Sequence, residues 1–506
     1  MKHERELHMK KVLFILSLLV AVLLTACGAS KKDDGKLHLV TTFYPVYEFT
    51  KQITGDTANV DLLIGAGTEV HDYEPSAKAI ATIQDADAFI YENENMETWA
   101  PDVIKNLKKT KAVKATEGMV LLPGTEEEDH DHGEEGHHHH AFDPHVWLSP
   151  QRAKLMVESL RDQLSKLYPD QKATFDKNAA AYLKKLDALD ASYKATLEKA
   201  EQKSFVTQHT AFAYLALDYD LKQVSITGLS ADSEPSAARL AELTQYIKKN
   251  DIKVIYFEEN ASKALADTLS KEAGAQLDVL NPLESLTDQE TKEGADYISV
   301  MKENLKALEK TTSQKGADIQ PEKEEETKTV SKGYFKDEDI KDRELSDWKG
   351  DWQSVYPYLK NGTLDQVFDY KAKLSGSMTA SEYKDYYDKG YKTDVSEIKI
   401  SDKTMTFVVN GKEETHTYKY VGKKTLTYKK GNRGVRFMFE ATDSDAGQFK
   451  YVQFSDHNIA PVKAEHFHIF WGSDSQEKLW DQLENWPTYY PSGMSGFDIA
   501  QEMVAH

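Results

Sequence analysis

The sequence predicts a two-lobed α/β solute-binding-type domain with a long connecting helix, followed by a mainly β barrel domain. Three observations carry this reading. Short apolar strands alternate with helical stretches from Leu37 to about Leu280, the pattern of largely parallel sheets with crossover helices. The alternation breaks once, where the chain after Ser149-Pro150 stays helical for roughly fifty residues. Beyond the polar stretch Thr311–Lys332, short β-rich runs separated by turn signals follow, as in a small antiparallel barrel.

The elements run in this order. Lys10 and Lys11 precede an apolar run from Val12 to Leu24, too short to span a bilayer comfortably and flanked as a signal peptide is. Leu24-Thr25-Ala26-Cys27 resembles a bacterial lipoprotein box, in which Cys27 is lipidated and becomes the mature N-terminus. Met9 is a second candidate start beside Met1. A short membrane anchor or a generic cleaved signal is the weaker alternative.

Strands are expected at Leu37–Phe43, Val60–Ile64, Ala88–Tyr91, Phe205–Thr207, Val224–Ile226, Val254–Phe257 and Leu277–Leu280. Ser76–Gln84 and Ala237–Lys249 are helical. Between the two strand sets, Phe175, Ala179, Tyr182, Leu186, Leu189, Tyr193 and Leu197 keep a helical stripe. A helix of about thirty residues is roughly 45 Å long, enough for a strut between lobes; a coiled-coil segment is the other option. Glu126–His140, rich in His and acids, cannot build a core and reads as a loop. Residues 311–332 read as a linker.

After the linker a short helix is expected at Thr379–Lys389. Strands are expected at Val395–Ile400, Thr404–Val409, Thr415–Val421, Val435–Phe439, Phe449–Phe454 and Phe467–Trp471. Asn410-Gly411 and Gly431-Asn432 mark turns. No internal repeat is visible.

A formal net charge of −21 argues against nucleic acid, which selects basic patches. Cys27 is the only cysteine. The mature chain therefore has no disulfide and no thiolate catalyst, and any transition metal must be held by histidine and carboxylate. Near the end of the chain, His466 and His468 stand two apart in a segment that alternates as a strand, so they share a face. His457, returning from a neighbouring strand, would complete a three-imidazole site suited to zinc. Upstream lie His71, His145, His209 and Glu284, three of which follow a predicted strand or introduce a helix, where open α/β sheets place ligands; spacing alone leaves these as ordinary structural groups or ligands. His38 and His416 receive no role, and His416 reads as a surface residue.

Residues from about Leu37 to Leu308 resemble the cluster A-I solute-binding proteins of metal ABC transporters. The match is carried by Leu39-Val40-Thr41-Thr42-Phe43-Tyr44-Pro45, His71-Asp72-Tyr73-Glu74-Pro75-Ser76 and Asp143-Pro144-His145-Val146-Trp147-Leu148. The resemblance implies a metal held between two lobes by His71, His145, His209 and Glu284, with one rigid helix linking the lobes. Three imidazoles and one carboxylate favour Zn2+; manganese-binding members carry a carboxylate where His209 stands. It also implies that His130, His132 and His137–His140 collect zinc weakly, a solvated loop being the rival reading.

From about Gly333 to His506 the chain resembles the ZinT family of calycin-like zinc-binding barrels, through Asp347-Trp348-Lys349-Gly350-Asp351-Trp352, Tyr383-Lys384-Asp385-Tyr386-Tyr387 and the histidine spacing. That resemblance implies zinc on His457, His466 and His468, with a fourth position left for water or an exogenous group. The fusion of both behind a lipoprotein signal is similar to the AdcA-type zinc-binding lipoproteins of Gram-positive bacteria.

The resulting expectation is a signal peptide at 1–27, a metal-binding domain at 28–310 with its loop at 126–140, a linker at 311–332 and a zinc-binding domain at 333–506. Such a protein captures zinc at two sites on the outer face of the cytoplasmic membrane. It hands the ion to an ABC permease with its ATPase, as a lipid-anchored monomer. A manganese-binding lipoprotein and a surface adhesin are the rivals. A zinc hydrolase lacks a nucleophile-and-base constellation, so no enzyme activity is expected.

Overall fold

The computed structural model describes residues 35–124, 142–226, 237–258, 264–315, 328–428 and 431–505. Cys27 and the signal segment lie outside these residues, as do the histidine-rich loop and the middle of the linker.

The two α/β lobes are built alike. In the first, β1 (Leu37–Thr41), β2 (Ala58–Leu62), β3 (Ala88–Tyr91) and β4 (Lys111–Lys114) form a parallel sheet in the order β2-β1-β3-β4. In the second, β5 (Ser204–Thr207), β6 (Lys222–Ser225), β7 (Val254–Phe257) and β8 (Gln276–Val279) repeat that order as β6-β5-β7-β8. This repeated topology has no counterpart in the residues themselves. Strands such as Ala88–Tyr91 and Val254–Phe257 are buried throughout, as helix-covered parallel strands must be.

The long helical region is two helices. Tyr168 departs from helical dihedrals before Pro169, because proline disfavours the α conformation in the residue preceding it. Pro150–Leu167 therefore ends there, and Lys172–Leu197 follows after one 3-10 turn. The two pack side by side. The second, 26 residues and about 39 Å long, is the lobe connector. Its stripe from Phe175 to Leu197 is buried. Phe49 of the first lobe reaches both Tyr182 of the connector and Tyr297 of the helix Tyr297–Thr312.

The C-terminal part is a closed antiparallel barrel in the order β10-β11-β12-β13-β14-β15-β16-β9. Its strands are β9 (Gly350–Ser354), β10 (Val395–Ile400), β11 (Thr404–Val409), β12 (Lys412–Thr427), β13 (Arg433–Ala441), β14 (Tyr451–Ser455), β15 (Phe467–Gly472) and β16 (Thr488–Pro491). Asn410 and Gly411, both at positive φ, make the two-residue hairpin between β11 and β12, the mirror-image turn that matches strand twist. Trp348, Phe437, Phe439, Phe454 and Phe467 fill the interior. The helix Ala380–Tyr391 starts at Thr379 with a full capping box to Glu382.

Two sequence expectations are corrected. His416 is buried, 8 % exposed, on β12, because closure of the barrel turns its face inward. Strand β15 begins at Phe467, so His466 sits on the approach to the strand rather than within it.

The barrel domain is packed onto the first domain. Gln366 and Gln501 each grip the backbone of residues 118–121 through both amide ends, at 2.8–3.1 Å. Tyr370 donates to the Val120 carbonyl at 2.7 Å and lies under the Arg152 guanidinium. Val367, Tyr370, Ile499 and Met503 share one apolar cluster with the first domain.

Candidate metal centres

The four upstream candidates converge. His71 follows β2, His209 follows β5, Glu284 follows β8, and His145 opens the 3-10 turn that leads into Pro150–Leu167. The site thus lies between the lobes at the carboxyl ends of their strands. Trp147 donates to the Pro282 carbonyl at 2.8 Å, and Tyr297 donates to the Trp147 carbonyl at 2.5 Å. These bonds tie the His145 turn to the Glu284 loop.

The donor atoms are already at ligand spacing. His145 Nε2 lies 3.2 Å from His71 Nε2 and 3.4 Å from His209 Nε2. Glu284 Oε1 lies 3.7, 3.8 and 3.7 Å from the same atoms of His71, His145 and His209. Four ligands about 2.0–2.1 Å from a tetrahedral ion stand about 3.3 Å apart, so this set fits a single zinc-sized cation. Glu284 Oε1 is buried without a hydrogen-bond partner, which an ion would supply.

Carboxylates behind the rings set the tautomers. Asp143 Oδ1 accepts from His145 Nδ1 at 2.8 Å, and Glu258 accepts from His209 Nδ1. Each leaves Nε2 with its lone pair toward the centre. Burial, then repulsion from His71 and His209, drives the His145 imidazolium well below its ordinary range. At His209 burial works the same way, but Glu258 outweighs it and lifts the group to about 9. Burial opposes the Glu284 carboxylate, yet the three imidazoles, His71 first, pull it down to about 2. Glu258, at the end of β7, was missed from sequence; an acid directly after a buried parallel strand was the available signal.

The second group is His457, His466 and His468, whose donor atoms lie within 4.8 Å of one another. His457 Nε2 and His468 Nε2 are 3.3 Å apart. Thr488 Oγ1 donates to the Trp486 carbonyl at 2.9 Å and so accepts from His468 Nδ1 at 2.7 Å. That again frees Nε2. His466 stacks on Tyr490 at 5.2 Å. His457 adopts φ +62°, a left-handed conformation that strains a side-chain-bearing residue. It is held because the preceding Asp456 is buried against Arg343 at 2.7 and 2.8 Å. Arg343 also reaches Asp347 and the Val462 carbonyl, so one guanidinium clamps both ends of the loop bearing His457. Among the described residues no carboxylate joins this group. Three imidazoles leave a fourth position open.

Comparisons with known proteins match a zinc-related family model to each half of the chain. Residues 39–311 match the model of the zinc-uptake complex component A, periplasmic, and residues 326–506 match that of ZinT (YodA), periplasmic, lipocalin-like, zinc-recruitment. The zinc-binding lipoprotein AdcA of Streptococcus pneumoniae is 69 % identical over 502 residues, covering 98 % of this chain and all of the relative. The zinc-binding protein AdcA of Streptococcus pyogenes is 58 % identical over 515 residues, covering 98 % and 100 %. The crystal structure of Zn(II)-bound AdcA from Streptococcus pneumoniae superposes with a TM-score of 0.85 at 68 % identity, covering 93 % of this chain and 100 % of that one.

Proposed function

The chain belongs to the family of AdcA zinc-binding lipoproteins, and from that premise we propose that it captures Zn2+ outside the cell and delivers it to an ABC permease. The observation that carries the reading is the cluster of His71, His145, His209 and Glu284, with donor atoms all within 4.8 Å of one another and two rings oriented by carboxylates. Three imidazoles and one carboxylate select zinc over manganese, which prefers oxygen donors. His457, His466 and His468 form the second site, a feeder that widens capture when zinc is scarce.

In this reading Cys27 carries the lipid that anchors the mature chain to the outer face of the cytoplasmic membrane, where the permease and its ATPase receive the ion. Residues 28–310 form the primary capture domain, 311–332 the linker and 333–506 the feeder domain. The loop 126–140 raises local zinc by weak multivalent binding. The protein carries cargo and turns over no substrate. Asp143, Glu258 and Thr488 each serve to orient a candidate ligand ring.

Metal stoichiometry tests this. The soluble mature chain without residues 126–140 should bind two tight zinc equivalents against a competing chelator. Replacing His466 and His468 together with alanine should leave one. A single equivalent in the unmutated sites, or preference for manganese, refutes the second site or the choice of metal.

A further inference from the structure

Beside the three-histidine group lies a cavity of about 370 Å³ whose lining includes His457, His468, Arg436, Phe470, Tyr386 and Trp486. Arg436 is its unusual member. It sits on β13, only 3 % exposed, with its guanidinium 3.3 Å from the centre of the Phe470 ring. Nη2 reaches the Gln482 carbonyl at 3.3 Å, while Nε and Nη1 are buried with no hydrogen-bond partner. Burial pushes the guanidinium down to about 10, with only Tyr428 working against it. A buried guanidinium without a counter-charge is expensive to maintain.

The charge around it deepens the anomaly. Among the described lining residues there is no aspartate or glutamate, whereas Lys332, Arg433 and Arg436 are basic. Arg433 is already spent on Asp337. Arg436 lines the same cavity as His457 and His468. A zinc ion on His457, His466 and His468 would add two positive charges and still need a fourth donor. Both deficits call for an anion. A carboxylate has an oxygen for the metal and a second for the guanidinium. The walls supplied by Phe470, Tyr386, Trp486 and Leu483 suit an organic body better than a phosphate.

We infer that the second site takes zinc together with a small organic carboxylate, which completes the metal's coordination and is held by Arg436 against an aromatic wall. This rests on the reading of the three histidines as a zinc site, and it names the form in which that site recruits the ion. The feeder domain then draws on zinc that is already carboxylate-bound.

The test uses the full mature chain with His71→Ala and His145→Ala, so that only the second site loads, charged with cobalt(II). Tetrahedral cobalt absorption without added anion establishes the three-histidine site by itself; its absence refutes that site, not merely the anion. Acetate, benzoate, inorganic phosphate and chloride are then titrated to tens of millimolar. Acetate and benzoate should shift the spectrum saturably, benzoate more tightly. In Arg436→Met the carboxylates should bind roughly ten- to hundredfold more weakly, with the anion-free spectrum kept. No spectral response to carboxylates, equal binding in Arg436→Met, or phosphate and chloride matching benzoate would overturn the inference. Should Arg436→Met fail to hold cobalt, Trp486→Ala decides: loss of the preference for benzoate over acetate supports it, and retention refutes it.

Discussion

Replacing Glu258 with glutamine should weaken zinc binding at the first site at high pH and cease to do so near neutrality. Glu258 accepts from His209 Nδ1 with both side chains nearly buried, at 1 % and 9 % exposure. Glutamine keeps an acceptor of the same shape and removes the charge. An ionic hydrogen bond is worth about 1–1.5 kcal/mol more than a neutral one, about tenfold in affinity. Above pH 9 the variant should therefore bind roughly tenfold more weakly.

Below that pH the proton competes. His209 stands near 9 because Glu258, with help from Glu284 and Glu69, overcomes its burial. Zinc must displace this proton, so each pH unit below about 9 weakens apparent affinity about tenfold. At pH 7 the wild-type chain carries a penalty of about a hundredfold. In Glu258→Gln burial meets less opposition, the imidazolium is less favoured, and most of the penalty disappears. The deficit should vanish or reverse at neutral pH. The assay is chelator competition from pH 6 to 9.5 on a chain whose second site is disabled by His466→Ala and His468→Ala. A wild-type-to-variant affinity ratio that is constant with pH, or that grows as pH falls, refutes the account of Glu258.

Two further outcomes are expected. Thr488→Val removes the acceptor that fixes the His468 tautomer. It should weaken the second site roughly 10–100-fold while leaving the first unchanged in the same competition assay. Asp218→Asn should destabilise the chain by about 3–5 kcal/mol in denaturant unfolding, because it leaves Arg152 buried without its partner. Asp218 binds Arg152 at 2.8 Å and Lys373 of the barrel domain at 2.9 Å. Burial opposes its charge, but these cations outweigh that and hold it below the usual carboxylate range. Its contribution is thus complete above an unfolded value of about 4. It is lost as pH falls through the lower folded value. Unfolding free energy in Asp218→Asn should therefore converge on wild type in acid, and a difference that is constant with pH refutes the ion pair as the cause.

Much of this was legible in the residues. Val254–Phe257, Val395–Ile400 and Thr404–Val409 were read to the residue, since apolar β-rich runs ended by turn residues or charges leave little choice. The helix stripe from Phe175 to Leu197 was read correctly as a buried face. Strands β9 and β16 were not visible: Gly350-Asp351-Trp352-Gln353-Ser354 shows no clear apolar alternation, and it becomes a strand by pairing with β10 on one side and the distant β16 on the other. The seven candidate ligands that the structure brings into two groups were reachable because family motifs placed them. The groups that orient them were not. Glu258, Arg343 and Thr488 are ordinary polar residues until folding brings them to a ring or a loop. His416 read as a surface residue and Arg436 drew no reading, and only the closed barrel reveals that both are buried.

The two centres differ in how they would balance the charge of the same ion, and that difference assigns their roles. At the first, the Glu284 carboxylate stands among the ring nitrogens, and Asp143 and Glu258 stand directly behind two of the rings. Zinc there meets negative charge on its own coordination sphere and around it, inside a site where His145 and His209 are fully buried. Such a site holds tightly, and release requires the lobes or loops to move. At the second, the supports are a hydroxyl, an aromatic face and the Arg343 clamp, with His457 exposed and, among the described residues, no carboxylate in the group. Neutral imidazoles alone leave the metal's charge uncompensated beside Arg436, so an exogenous anion sets how firmly the ion stays. When that anion departs, the ion is held by three neutral donors at an open surface. Exchange from the second site should therefore be faster than from the first, as a feeder requires, and adding benzoate should slow it in proportion to its occupancy at Arg436.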